Sequence, residues 1–286
     1  MSNPVVWKTP GEVRAWVKAL HQRGQTLALV PTMGFLHDGH LSLMREGGRR
    51  ADVVAASIFV NPTQFGPKED LSTYPRDAEG DLRRCASAGV FGVYMPEPST
   101  VYPAGYQTYV NVEQVSQGLD GDKRPGHFRG VATVVAKLLA LFRPEVALFG
   151  EKDFQQLQVI TRLNADLELG AEVVGMPTIR EPDGLAMSSR NSYLSADERQ
   201  RALGLSRGLF AARKLAAEGE ADVAKLLAVI RHELGAVQAR EDYVEIADST
   251  LLTPLSKLEK NVPARALIAA FIGKTRLIDN VALQLG

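Results

Sequence analysis

Apolar residues recur along this chain in two rhythms. Short, nearly continuous apolar runs predict buried strands at Thr26–Pro31, Asp52–Val60, Val90–Met95, Glu145–Phe149 and Ala171–Met176. Longer stretches of helical length lie between them, at Leu41–Arg50, Asp77–Ala88, Val131–Phe142 and Phe154–Leu167. Gly89 stops the second helix and Pro144 follows the third. Pro96–Gly130 reads as a loop-rich region. Strands alternating with helices imply a parallel sheet covered on both faces, with ligands bound outside the carboxyl ends of the strands.

The rhythm changes after Met176. Two amphipathic helices, Ala196–Glu218 and Ala221–Val237, precede strands at Tyr243–Ala247, Arg265–Ile272 and Thr275–Asp279, the last two at hairpin spacing. The expected fold class is α/β: a parallel-sheet domain over residues 1–178, then a smaller C-terminal α+β domain over 179–286.

Composition narrows the function classes. Lys plus Arg and Asp plus Glu number 33 each, and no basic run stands out, so the electrostatic footprint of a nucleic-acid binder is missing. The most apolar stretch, Val131–Phe142, carries Lys137 and is too short to cross a bilayer. Polar residues and prolines near the start break any signal-peptide core, making the cytoplasm the expected location. The single cysteine, Cys85, rules out an internal disulfide and cysteine-pair metal sites.

The candidate chemistry clusters where strands end. Pro31-Thr32-Met33-Gly34-Phe35-Leu36-His37-Asp38-Gly39-His40 lies between the first predicted strand and a helix. Glycines allow close backbone approach, helix N-termini attract anions, and two imidazoles three residues apart can face one side of the first helical turn. His37 and His40 are therefore candidate phosphate donors; as zinc ligands they would be half a site. Phe149-Gly150-Glu151-Lys152-Asp153 also follows a strand and offers Lys152 as a compact cation. Met187-Ser188-Ser189-Arg190-Asn191 offers hydroxyls and a guanidinium. Gln64, in Val60-Asn61-Pro62-Thr63-Gln64-Phe65-Gly66, and Gln156 are amides able to hold a polar substrate. The fingerprints of P-loop nucleotide hydrolases, dinucleotide-binding dehydrogenases and serine hydrolases are absent. These residues suit a nucleotide site and leave the reaction open. An acid-activating ligase, a nucleotidyltransferase acting on a phosphorylated alcohol and a non-catalytic nucleotide-binding module all remain.

Taken together, these segments resemble the pantothenate synthetase family, ligases that join pantoate to β-alanine. Tyr74-Pro75-Arg76, His127-Phe128, Gln155-Gln156-Leu157 and Asp183-Gly184-Leu185-Ala186 complete the match in the family's order. The resemblance implies a Rossmann-like first domain, a C-terminal domain that closes over the site, ATP with Mg²⁺, and a homodimer. It also implies a pantoyl-adenylate formed with release of pyrophosphate, then captured by β-alanine with release of AMP. Carried over, Met33, Gly34, Phe35, Leu36, His37, Asp38, Gly39 and His40 line the ATP site, with His40 the principal catalytic histidine and His37 and Lys152 beside it. Gly150, Glu151, Lys152, Asp153, Ile179, Met187, Ser188, Ser189 and Arg190 complete that site. Gln64 and Gln156 hold pantoate, with Asn61 and His127 as further substrate contacts. Where the family carries two adjacent acids this chain has Gly80-Asp81, leaving Asp81 as the candidate Mg²⁺ ligand.

Overall fold

The computed structural model describes residues 3–67 and 69–286. They form two compact units: one runs through Glu151 and resumes over Gln156–Pro177, and the other comprises Lys152–Gln155 and Thr178–Gly286.

The first unit opens with strand β1 (Val5–Trp7) and helix α1 (Pro10–Gln22), both beyond what the hydrophobic pattern predicted. Their signals are local. Thr9 and Glu12 cap the helix reciprocally, Pro10 sits in its first turn, and Val13, Val17 and Leu20 form the buried stripe. Then come β2 (Leu27–Thr32), α2 (Asp38–Arg50), β3 (Val53–Ile58), α3 (Ala78–Ser87) and β4 (Gly92–Tyr94). The region read as loop contains two short helices, α4 (Pro98–Val101) and α5 (Leu119–Lys123). Helix α6 (His127–Phe142) begins four residues before its predicted start, and β5 (Val146–Gly150), α7 (Phe154–Asp166) and β6 (Glu172–Met176) follow.

The six strands are all parallel, in the order β1-β4-β3-β2-β5-β6, as the α/β alternation predicted. Leu27, Ala28, Leu29 and Val30 are fully buried, which is why β2 reads as an unbroken apolar run and not as an alternation. The chain leaves β2 toward β3 and later returns on the other side as β5. The carboxyl ends of β2 and β5 thus flank the point where strand order reverses, where such sheets bind ligands.

In the second unit α8 (Ala196–Ala217) and α9 (Val223–Ala236) share an apolar core with the antiparallel sheet β7 (Arg240–Asp248), β8 (Ala264–Ile272) and β9 (Thr275–Leu283). Strand β9 continues past its predicted end at Asp279. The polar residues that broke the pattern there are buried and satisfied: Asp279 takes a bidentate pair from Arg180 at 2.7 and 2.8 Å, and Asn280 donates to the Lys152 carbonyl at 2.8 Å. Among the described residues no helix is long and apolar enough to cross a membrane.

The edge of the parallel sheet tolerates little. Gly92 pairs with both Val5 and Ala55, and a Cβ there would run into the Trp7 ring, which packs on Trp16, Phe91 and Phe142. Gly92→Ala is expected to cost about 1–3 kcal/mol through overpacking. A lowered midpoint in urea unfolding would register it.

Candidate active site

The first motif is built as a turn that only this sequence accepts. At the end of β2 the Thr32 hydroxyl donates to the Ser57 carbonyl at 2.8 Å and accepts the Gly34 N–H at 3.2 Å. Gly34 and Phe35 then both adopt left-handed backbone, φ 82° and 49°. A side chain at Gly34 would lie 2.8 Å from Asp81 Oδ2, so conformation and space both demand glycine.

Asp81 holds this turn. From the first turn of α3, its buried carboxylate accepts the Phe35 N–H at 2.9 Å and the Leu36 N–H at 2.7 Å, one on each oxygen. Burial pushes the carboxyl above its ordinary range, while the two N–H groups pull it back.

The turn delivers His37 as the N-cap of α2. Its Nδ1 accepts the Gly39 N–H at 3.2 Å, and His40 Nδ1 accepts the His37 N–H at 3.2 Å. This is a capping box made from two imidazoles instead of a hydroxyl and a carboxylate. The rings lie 4.1 Å apart between centroids. With Nδ1 accepting, each neutral ring carries its proton on Nε2, so both are Nε2–H donors at a helix N-terminus. Any side chain at Gly39 would crowd the His37 ring at 2.9 Å.

The neighbouring amide is built as carefully. Gln64 lies in the single 3₁₀ turn Pro62–Gln64 after β3 and is buried. Its Nε2 donates to the Met33 sulfur at 2.9 Å, which ties it to the start of the first motif. Its Oε1 accepts from Asn61 Nδ2 at 3.1 Å, and the second Asn61 N–H goes to the Gly130 carbonyl at 3.1 Å. Asn61 Oδ1 accepts from the Thr63 hydroxyl at 2.9 Å and the Tyr102 hydroxyl at 2.8 Å.

His127 braces the same turn from α6. Its Nδ1 meets the Gln64 carbonyl at 2.8 Å, and Arg124 Nη1 meets its Nε2 at 3.0 Å. Arg124 can only donate, so Nε2 accepts and Nδ1–H donates. Arg124 in turn forks onto Glu69 at 2.7 and 2.8 Å.

Three residues expected to meet substrate or metal already have protein partners. Asn61 uses both its N–H groups and its oxygen within the protein, and His127 uses both ring nitrogens. Both thereby brace the Gln64 turn. Asp81, expected as a metal ligand, uses both oxygens to pin the turn before His37. Among the described residues no three His, Cys, Asp or Glu side chains gather into a metal site. Tyr102, Arg124 and Glu69 went unnoticed in the sequence because they lie in stretches without regular periodicity. The run Tyr102, Tyr106, Tyr109 was the available signal. Cys85 is buried, and burial pushes its thiol up to about 12, in line with an inert thiol.

The second motif follows β5. Gly150 ends that strand in register with Met176, and Glu151–Asp153 form one 3₁₀ turn leading to α7. Within the second unit, the Arg265 guanidinium lies 3.7 Å from the Phe154 ring centroid and Asn280 holds the Lys152 carbonyl, fixing the turn that carries Lys152. Gln155 is buried, and Gln156 is partly exposed.

The third motif lies within the second unit. Ile179 and Met187 face each other across a small hairpin, the Met187 N–H reaching the Ile179 carbonyl at 3.0 Å. Ser188 then caps the 3₁₀ turn Ser189–Tyr193 by accepting the Arg190 N–H at 3.3 Å. Asn191 ties the turn back by donating to Glu181 at 3.0 Å and the Ala186 carbonyl at 3.1 Å. Hydroxyls, a guanidinium and the exposed Ile179 side chain are thus presented together.

Known proteins carry the same arrangement of sequence. Residues 5–282 match the family described as pantoate-beta-alanine ligase. The chain is 66% identical over 281 residues to a pantothenate synthetase of Myxococcus xanthus, covering 98% of this chain and 96% of that one. A pantothenate synthetase structure from Thermus thermophilus superposes with a TM-score of 0.92 at 45% identity, over 97% of this chain and 98% of that one. A pantoate-beta-alanine ligase structure from Francisella tularensis, complexed with beta-gamma ATP and beta-alanine, gives 0.81 at 32% identity over 97% of both chains.

His127 sets a pH dependence. Burial, then the Arg124 charge, pushes its imidazole down to about 4, against the smaller opposing pull of the Gln64 carbonyl, Asp120 and Glu69. Between pH 6.5 and 4 the unfolded chain then binds a proton that the folded one refuses, so folding stability falls as pH drops through that window, by up to about 3 kcal/mol. Urea unfolding across the window is expected to show this slope, and His127→Gln to flatten it.

Proposed function

Because the chain belongs to the pantoate-beta-alanine ligase family, we propose that it joins pantoate to β-alanine at the expense of ATP, through a pantoyl-adenylate. One observation carries the residue assignment: Gln64 touches Met33, the first residue of the turn that delivers His37 and His40. A group suited to hold an acid is thereby fixed beside a group suited to hold phosphates.

In the first half-reaction a pantoate carboxylate oxygen attacks the α-phosphorus of ATP. The new oxygen–phosphorus bond forms as the bond to the β-phosphate oxygen breaks, and pyrophosphate leaves. Negative charge grows on the leaving oxygens, and the Nε2–H groups of His40 and His37, reinforced by the α2 N-terminus, are placed to meet it. Lys152, Ser188, Ser189 and Arg190 supply further cations and donors for phosphate, while Gly150, Glu151, Asp153, Ile179 and Met187 complete the nucleotide contacts. In the second half-reaction the β-alanine amine attacks the acyl carbon, AMP departs and the amine sheds a proton. Gln64 and Gln156 hold the acid throughout. The protein contributes alignment and preorganised donors, with no covalent step of its own.

Mg²⁺ would enter with the nucleotide, neutralising phosphate charge. The donor set described above suits an ion held mainly by phosphates and water, since each Asp81 oxygen already accepts a backbone N–H and, among the described residues, no three His, Cys, Asp or Glu side chains form a cage. The family resemblance supports a cytoplasmic homodimer.

The direct test is AMP release with ATP, Mg²⁺, pantoate and β-alanine, omitting each in turn. AMP should appear only in the complete mixture beyond a single turnover, and exchange of labelled pyrophosphate into ATP should require pantoate but not β-alanine. Exchange supported by a phosphorylated alcohol instead would overturn the assignment. His40→Ala should slow adenylation by about 10²–10³-fold, the effect of losing one transition-state donor. A near-normal rate would remove His40 from the chemistry.

A further inference from the structure

We propose that Tyr102 is a positioning residue for acid recognition: with the Gly130 carbonyl it fixes the orientation of Asn61, so that Gln64 can offer its substrate N–H donors only. The inference rests on the reading of Gln64 as a pantoate-holding residue and adds what sets its polarity.

An amide can face either way, and its hydrogen-bond partners decide which. Here the decision starts from a group with no choice. The Gly130 carbonyl can only accept, so the Asn61 atom 3.1 Å from it must be the NH₂. The opposite end of Asn61 is then its oxygen, and the Tyr102 and Thr63 hydroxyls lie 2.8 and 2.9 Å from it as donors. The other Asn61 N–H points at Gln64, whose facing atom must be the oxygen. The Gln64 NH₂ is therefore turned outward, one hydrogen toward the Met33 sulfur, with no other partner among the described residues. A donor in that place recognises a carboxylate or hydroxyl oxygen and rejects an ammonium or amide N–H.

Tyr102 is itself held so that its hydroxyl keeps this task. Its phenol is pushed up to about 12, mainly by burial, so it keeps its proton through the physiological range. Lys137 lies over its ring at 5.5 Å and over the Tyr106 ring at 4.3 Å, with the ammonium donating to the Val101 carbonyl at 2.5 Å. Gly130 is equally constrained, because any Cβ there would strike the Thr63 carbonyl. Backbone of α6 and the Gln64 turn can meet this closely only through glycine.

Steady-state kinetics on purified Tyr102→Phe, Tyr106→Phe, Gln64→Ala and Gln64→Glu enzymes tests this. Tyr102→Phe deletes one hydroxyl and keeps the ring. It should raise KM for pantoate about tenfold, leave KM for ATP unchanged and lower kcat little, because the lost contact acts equally on ground and transition states. Tyr106→Phe keeps the ring that packs on Tyr102 beneath Lys137 and removes a hydroxyl that bonds no polar atom of the relay, so it should behave as the parent. Gln64→Glu should bind pantoate worse than Gln64→Ala, because it sets an acceptor against the acid. If Gln64→Ala impairs pantoate binding while Tyr102→Phe does not, or Tyr102→Phe raises both KM values alike, the positioning role is overturned and the Gln64 assignment stands. If Gln64→Glu binds pantoate as well as the parent, the donor-only polarity is wrong. If Gln64→Ala binds it normally, the assignment beneath the inference falls with it.

Discussion

The first functional motif depends on one buried carboxylate. Asp81 reaches from α3 to two consecutive N–H groups, and those belong to the residues that carry the chain from a left-handed turn into His37. Every later contact of the motif follows from where that turn ends: the N-cap of α2, the pairing of the imidazoles and the sulfur of Met33 against Gln64. A carboxylate is a strong choice because each oxygen serves one N–H, and a charged acceptor makes shorter, stronger bonds than a neutral one. Its position also explains Gly34, since the carboxylate occupies the space a side chain would need.

Much of this was legible in the sequence, and the physical reason is the same in each case. Strands buried on both faces leave continuous apolar runs, so β2, β3 and β5 could be found within a residue or two; β6, half-buried at the sheet edge, keeps a similar apolar run, and the alternation with helices gave the parallel sheet. The glycine-framed histidines announced the strand-to-helix turn because few other structures require that combination. Helix α1 escaped notice despite its short stripe of Val13, Val17 and Leu20; the other elements missed lacked a periodic signal. Strand β1 is three residues long, and β9 was cut short because Asp279 and Asn280 look like surface residues until Arg180 and the Lys152 carbonyl are known to meet them.

The site residues divide the same way. Types rich in chemistry can be picked out from a sequence, but not whether their atoms are already spent. Asn61, His127 and Asp81 all carry functional-looking groups, and in each every polar side-chain atom already has a partner inside the protein. Tyr102 and Arg124 sit one step further back, meeting the Gln64 turn through Asn61, His127 and the turn's own carbonyl. Counting donors and acceptors atom by atom separates holders from held, and it requires partners from segments dozens of residues apart.

The paired imidazoles differ from the usual picture of histidines that bind phosphate by being charged. Each Nδ1 is committed to a backbone N–H, so each neutral ring already presents a proton outward. The helix has in effect exported two of its own N–H groups along aromatic arms, from half-buried peptide bonds to ring edges several ångströms away. Such extended peptide donors take their tautomer from the backbone and not from solvent, so the direction each ring offers its proton is settled before anything binds.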